Sequence, residues 1–414
     1  MLENTHMTAA LAAAPEDQIV FDLAGIEGQY DELMRELPGI SVRFAMKACP
    51  VDEVLACLAK KGAGFDAASP NEIAQAITTG VPIGDIHYGN TIKSDQNIID
   101  AHRLGVRDFA TDSLEDVTAI AAYAPGARVF CRLATTGDGA LWGLSHKFGC
   151  SGADAVRVME RARATGLTPS GLSVHVGSQQ MTAEAWQNAF ESLAEVLADL
   201  NRRGISLDHV NLGGGLPALG YLDRRGRPLR PPMDEIFAAI RTGMQQLRRE
   251  SGGDLDFIME PGRYLVADHG AIRAHVSRLS ARQHLNGERQ YWLYLSCGKF
   301  NGLYEMDQLQ YKLVFPTHIG AEYVPAVIAG PTCDSDDAFN HEDNLVHVPK
   351  AAASGDPVWI LSCGAYSTSY TTQGFNGFNP LPHTVLHDEH NGRNNPHTKN
   401  RQPVSTHPRK VQGR

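Results

Sequence analysis

A lysine ends the apolar run RFAMK at Lys47, and the motif EPGR places a carboxylate, Glu260, and a guanidinium, Arg263, just after another apolar run. A lysine amine condenses with aldehydes to a Schiff base, and partial burial lowers its pKa toward a reactive free amine. A carboxylate such as Glu260 can hold a pyridine nitrogen protonated, making the ring an electron sink, while a group like Arg263 neutralises a phosphate. NLGGGLP strings Gly213, Gly214 and Gly215 together, and their bare N–H groups can cradle a phosphate. HVGSQ offers a flat imidazole, His175, and a hydroxyl, Ser178. GPTCDSDD adds the thiol of Cys333 beside Asp334, Asp336 and Asp337. Each feature alone has a plainer use: a snorkelling lysine, a structural ion pair, a glycine turn, a structural histidine or a cysteine packed as a small hydrophobe. Three clustered acids can also bind a metal, but no matching His or Glu pattern accompanies these.

Such scattered groups need a scaffold that gathers them. From about residue 42 to 260 a short apolar run, a turn and an amphipathic helical stretch recur. The strand-like runs are 43–46, 64–67, 86–89, 108–110, 128–133, 172–176, 209–212 and 257–259, with helical candidates at 52–61, 71–79, 153–164, 183–203 and 234–249. Eight alternations predict an α/β fold, a (β/α)8 TIM-like barrel, whose chemistry sits at the C-terminal ends of its strands. Read in order, those ends carry Lys47, Asp66, Asn90, Arg132, His175, Gly213 and Glu260. Past residue 270, runs at 274–282, 290–295, 324–329 and 358–363 predict a C-terminal, mostly antiparallel β domain, which 19–23 joins as an extra strand. The expected division is therefore an N-terminal segment 1–40 contributing to the β domain, the barrel 41–270, the β domain 271–386, and a tail 387–414. That tail, rich in Asn, His, Pro and basic residues, is expected to be disordered.

The bulk numbers narrow the partners. A chain of 414 residues with 43% hydrophobic residues can bury a large core. A formal net charge of -10 argues against nucleic acid and favours, if anything, a cationic small molecule. The seven cysteines are scattered with no C-x-x-C pair, which reads as a reducing compartment without a disulfide framework. No run is long enough to span a bilayer and no signal peptide is evident, so no membrane partner and a cytoplasmic location are expected.

The chain resembles the alanine-racemase-fold (fold-type III) decarboxylases of ornithine, lysine and diaminopimelate, over about residues 17–385. FAMKACP is similar to the family's cofactor-lysine motif, which implies that Lys47 carries pyridoxal 5'-phosphate. FDAASPNEI resembles the second-strand motif, with Asp66 and Glu72 helping to hold the site. The resemblance places His175 over the cofactor ring, Ser178, Gly213, Gly214, Gly215, Arg263 and Tyr366 (from GAYSTSY) around its phosphate, and Glu260 at its pyridine nitrogen. Cys333 and Asp334, in GPTCDSDD, would enter the site of a neighbouring subunit, implying a homodimer with shared sites. There Cys333 is the candidate to protonate the substrate carbon, and Asp334 to pair with a distal ammonium.

CDS at 333–335 resembles the ornithine and lysine branch, whereas the diaminopimelate branch usually has glutamate after the cysteine. The implied reaction is decarboxylation of L-ornithine to putrescine or L-lysine to cadaverine, a step of polyamine biosynthesis. A D-configured or otherwise related diamino acid, diaminopimelate, a racemase and a catalytically inactive regulatory homologue are the competing readings. Departures from the family pattern stand at Gly143 and His146, where many relatives have an arginine nearby, and at Ser296, Cys297, Asn301 and Tyr304. These are expected near the substrate pocket.

Overall fold

Eight short strands, all parallel, close into a barrel in chain order: Ile40–Ala45, Gly64–Ala67, Ile86–Tyr88, Asp108–Thr111, Arg128–Arg132, Thr168–Ser173, His209–Asn211 and Asp256–Met259, the last pairing with the first. The computed structural model describes residues 5–143, 147–252, 254–283, 287–339 and 345–387; His146 and the expected tail from 388 onward lie outside them. Parallel strands are covered on both faces, so they read as continuous apolar runs. Phe44, Phe65, Phe109, Phe130 and Phe257 accordingly lie in the core.

One capping device starts several of the helices that follow these strands. Ser69, Ser94, Ser113 and Ser151 each accept the backbone N–H of the residue three positions on, satisfying a donor that the first helical turn leaves open. At the first of these, Glu72 also reaches back to accept the N–H of Ala68, the residue before the cap, at 2.6 Å. The long helix Glu184–Arg202 buries a single stripe that includes Trp186, Phe190, Leu193, Leu197 and Leu200.

Apart from one two-stranded pair, the remaining strands form an eight-stranded, mostly antiparallel sheet. Its long central strand, Gly270–Gln283, pairs antiparallel with Gln18–Asp22, Arg289–Leu295 and Pro357–Leu361. Two pairings are parallel, Arg289–Leu295 with Tyr323–Ala329 and Gln18–Asp22 with His383–Leu386. Within the first forty residues the chain serves both parts. Gln18–Asp22 joins the sheet, while helix Leu23–Glu36, capped by Asp22, buries Ile26, Tyr30 and Leu33 in the main core. The sequence reading missed helix Thr5–Ala13, which is seated by only Met7 and Leu11, and the short strands Leu313–Val314, Val346–Pro349 and His383–Leu386. Segments this short carry too few apolar positions to show a period. Among the described residues, no helix is long and apolar enough to cross a membrane.

Candidate active site

Lys47 lies in a single 3-10 turn, Met46–Ala48, just past the first barrel strand and not on it. Its side chain is half exposed, but into a cavity, and Nζ stands 3.4 Å from Oδ2 of Asp66. Burial works against its charge, yet Asp66, then Tyr366 and Glu260, outweigh burial and hold the ammonium pKa above its ordinary value. The depressed lysine pKa expected from burial is thus reversed by neighbouring negative charge. Burial likewise opposes the charge of Asp66, but Lys47 and His87 keep its carboxyl well below the usual range.

His87, on the third barrel strand, is fully buried and was not singled out from the sequence. Its Nε2 lies 3.2 Å from Oδ1 of Asp66 and 2.8 Å from Oε1 of Glu260. Glu260 directly follows the eighth strand, and its Oε1 accepts from Nδ2 of Asn211 at 2.5 Å. Asn211 in turn accepts the N–H of Gly213 at 2.9 Å, tying the carboxylate to the glycine loop.

That loop is built for close approach. Gly213 has φ +64°, and a Cβ there would sit 2.1 Å from the carbonyl oxygen of Val174. At Gly214 a Cβ would crowd Nε2 of His175 and the carbonyl of Glu260 at 3.0 Å. His175 itself accepts the N–H of Gly177 at Nδ1, 3.1 Å, which puts the proton of a neutral ring on Nε2. Burial, with help from Arg132 and Lys47, pushes its pKa well below normal, so the ring is a neutral flat surface beside the lysine.

Arg263 opens the short helix Arg263–Val266 and is buried. It makes a two-point pair with Glu305, donates to the hydroxyl of Tyr221 at 3.1 Å and to Ser178 Oγ at 3.2 and 3.3 Å, and lies against the rings of Trp142 and Tyr366 at 4.6 and 4.8 Å. Tyr366 is held in a left-handed backbone, φ +63°, by its N–H donating to the carbonyl of Ala48 at 2.7 Å. Ser178 belongs to a two-stranded pair, Ala140–Trp142 with Ser178–Gln180, that forms part of the cavity wall.

One cavity of about 540 Å³ is lined by Lys47, Asp66, Asn90, Arg132, His175, Ser178, Arg263 and Tyr366, and also by Glu305, Asp307, Tyr304 and Tyr370. A narrower recess joins Lys47, His175, Ser178, Gly214, Gly215, Glu260, Arg263 and Tyr366. Cys333 and Asp334 are exposed and line neither. Asp337 of the same motif is buried, accepting the N–H of Lys299 at 2.7 Å and both the N–H and hydroxyl of Thr332 at 3.0 and 2.7 Å. Of the departures expected near the pocket, Tyr304 lines it. Ser296 instead accepts the N–H of His275, Asn301 accepts that of Gly298, and Cys297 is packed in the core.

These residues fit pyridoxal phosphate. A lysine amine, a carboxylate one residue beyond a barrel strand, and a glycine cradle with an adjoining arginine, serine and tyrosine match an aldehyde, a pyridine nitrogen and a phosphate. Sequence reasoning missed His87, Asn211, Tyr221 and Glu305. A histidine inside the buried run IHY was the one available signal, because a buried imidazole needs polar partners.

Comparison with known proteins agrees. The family described as pyridoxal-dependent decarboxylase, pyridoxal binding domain, matches residues 23–267. The chain is 29% identical to a lysine/ornithine decarboxylase of Selenomonas ruminantium, covering 91% of each chain, and 29% identical to an ornithine decarboxylase of Caenorhabditis elegans, covering 94% of this chain and 93% of that one. The solved lysine/ornithine decarboxylase of Vibrio vulnificus complexed with cadaverine superposes with a TM-score of 0.81 at 28% identity, over 94% of this chain and all of that one. The barrel with its lysine and glycine cradle is therefore a cofactor site of known kind, and the chain belongs to the pyridoxal-dependent decarboxylases.

Proposed function

We propose that the protein decarboxylates a basic amino acid, L-ornithine to putrescine or L-lysine to cadaverine. The observation that carries this reading is that the Lys47–Asp66 pair shares one cavity with two further acids that a cationic side chain would meet, Glu305 and Asp307, paired there with Arg263 and Lys299. The relatives named for ornithine and lysine support it. When bound, pyridoxal phosphate supplies an aldehyde and an electron-accepting ring that take up the electron pair left as CO2 departs.

The chain's own residues then have distinct tasks. Lys47 holds the cofactor covalently, and Asp66 governs the proton on its amine. Glu260 keeps a proton at the pyridine nitrogen, using the oxygen not engaged by Asn211. His175, neutral, covers the ring face without adding a charge that would compete with that proton. Gly213, Gly214, Gly215, Ser178, Arg263 and Tyr366 receive the phosphate. Arg263, holding a phosphate there, would loosen its pair with Glu305 and leave carboxylate oxygens for the distal ammonium of the substrate.

Cys333 and Asp334 serve the partner subunit's site in a homodimer, Cys333 delivering a proton to the substrate carbon and Asp334 pairing with the distal ammonium. Their exposure, and their absence from the walls of their own cavity, support this. Seven free cysteines suit a cytoplasmic protein.

Incubation with pyridoxal phosphate and a panel of L- and D-ornithine, L- and D-lysine, L-arginine and meso-diaminopimelate, read by mass spectrometry, tests the reading. Putrescine or cadaverine from an L-substrate, and none from Lys47→Ala, is the expected result. Cofactor bound through Lys47 with no amine formed would overturn it.

A further inference from the structure

The cavity floor has a second layer. Arg43 points into the barrel from its first strand, and its Nη1 lies 2.8 Å from Nδ1 of His87, whose far side meets Glu260 and Asp66. A guanidinium has only hydrogens to offer, so Nδ1 must accept and the ring proton must sit on Nε2, toward the carboxylates. Arg43 is anchored in turn by the carbonyl of Gly84 at 3.1 Å and by Asp108 at 4.0 Å.

We propose that Arg43 and His87 form a positioning chain through the barrel interior that fixes a neutral, Nε2-protonated imidazole between Asp66 and Glu260 and so sets the orientation and basicity of Glu260. This rests on the reading above that Glu260 faces the pyridine nitrogen. Two carboxylates this close repel, and an Nε2 edge lying 3.2 Å from one and 2.8 Å from the other, without a formed hydrogen bond to either, eases that repulsion. Both the Asn211 and His87 contacts fall on Oε1 of Glu260, which also lines the cavity recess.

The groups facing His87 are Arg43 from the first strand, Asp66 from the second, Glu260 beyond the eighth and the uncharged ring of Phe130 at 5.2 Å from the fifth. Burial and Arg43 oppose a second proton on the ring, and the two carboxylates draw its pKa upward past them. The second proton would have to occupy Nδ1, where Arg43 already stands. The Nη1–Nδ1 contact at 2.8 Å stands against that pull and holds the ring neutral, and removal of Arg43 lets the carboxylates recruit an imidazolium that competes with the pyridine proton for Glu260.

The test is 15N NMR of histidine-labelled, cofactor-free full-length protein. His87 is expected neutral with its proton on Nε2 near neutral pH, and doubly protonated in Arg43→Met. A wild-type imidazolium, an Nδ1–H tautomer, or an unchanged ring in Arg43→Met would overturn the chain. In the loaded enzyme, His87→Leu fills the same space without a donor and is expected to lower kcat about tenfold at unchanged KM and to shift the pH profile of the cofactor's absorbance. His87→Gln, which keeps an N–H near the Nε2 position, should restore most of both. A purely space-filling role predicts the opposite order, with Leu better tolerated than Gln. An unchanged cofactor spectrum in Glu260→Gln would instead overturn the reading on which the chain rests.

Discussion

Arg263 and Glu305, 42 positions apart in sequence, form a two-point ion pair whose side chains are 4% and 7% exposed. Removing one partner of a buried pair strands the other and costs about 3–5 kcal/mol. Glu305→Gln should therefore lower the melting temperature of the cofactor-free protein. A phosphate arriving at Arg263 replaces the lost charge, so pyridoxal phosphate should raise the melting temperature of the variant more than that of wild type. Calorimetry with and without cofactor measures both. Equal gains would mean that the pair is only a strut and that the phosphate does not reach Arg263.

The depressed pKa of His175 makes stability depend on pH in one window. The unfolded chain takes a proton at this residue at about pH 6.5, while the folded chain, with the ring buried beside Arg132 and Lys47, refuses it until well below. The stabilisation is therefore complete above that pH and is lost as pH falls. Asp66, whose pKa is lowered on folding, contributes above about pH 3.9 and is lost below it, so its loss sets in only at lower pH. His175→Phe keeps a flat neutral ring and has no such proton. Urea midpoints at about pH 7.5 and 5.5 should fall more in wild type than in His175→Phe, and the variant should still bind the cofactor. Parallel losses in the two proteins would place the titration elsewhere.

The barrel was legible in the sequence because each of its strands is covered on both faces, so short apolar runs recur eight times, seven of them ended by a residue singled out for its chemistry or its backbone freedom. Lys47, Asp66, His175 and Glu260, read as strand ends, and Ser178, Gly214, Gly215, Arg263 and Tyr366, read from the motifs and the family resemblance, line one recess and its adjoining cavity. Partnerships across the fold were not legible. Nothing local to LYEMD marks Glu305 as the counter-ion of Arg263, and nothing local to RFAMK shows that Arg43 reaches His87, because those contacts exist only once the barrel closes. Within GPTCDSDD the sequence offers three equivalent acids. Burial alone separates Asp337, which accepts three donors, from the exposed Asp334 and Asp336.

That separation has a consequence for stability. Asp337→Ala leaves the N–H of Lys299 and both donors of Thr332 without their acceptor, at about 1–3 kcal/mol for each group that stays dry. Asp334→Ala removes an acceptor for the N–H of Asp336 at an exposed site and should cost less than about 0.5 kcal/mol. Both should lose activity, the first by loosening the loop that presents Cys333, the second at unchanged melting temperature and with a raised KM. Thermal melts beside steady-state kinetics separate the two. If Asp334→Ala kept the wild-type KM, its proposed grip on the substrate ammonium would fail.

Cys333 gives the sharpest test of assembly, since it lies outside the cavity of its own chain. If the sites are shared across a homodimer as proposed, Lys47→Ala disables the barrel that carries it, and Cys333→Ala disables the neighbouring barrel. Each variant alone should be inactive or nearly so. When the two are mixed and allowed to exchange subunits, half the dimers are mixed, and each mixed dimer holds one site with both Lys47 and Cys333 intact and one with neither. An equal mixture should therefore recover about a quarter of wild-type activity. No recovery, with exchange verified by native mass spectrometry, would place Cys333 in the site of its own chain or outside catalysis. Full activity in Cys333→Ala alone would remove the thiol from the reaction altogether.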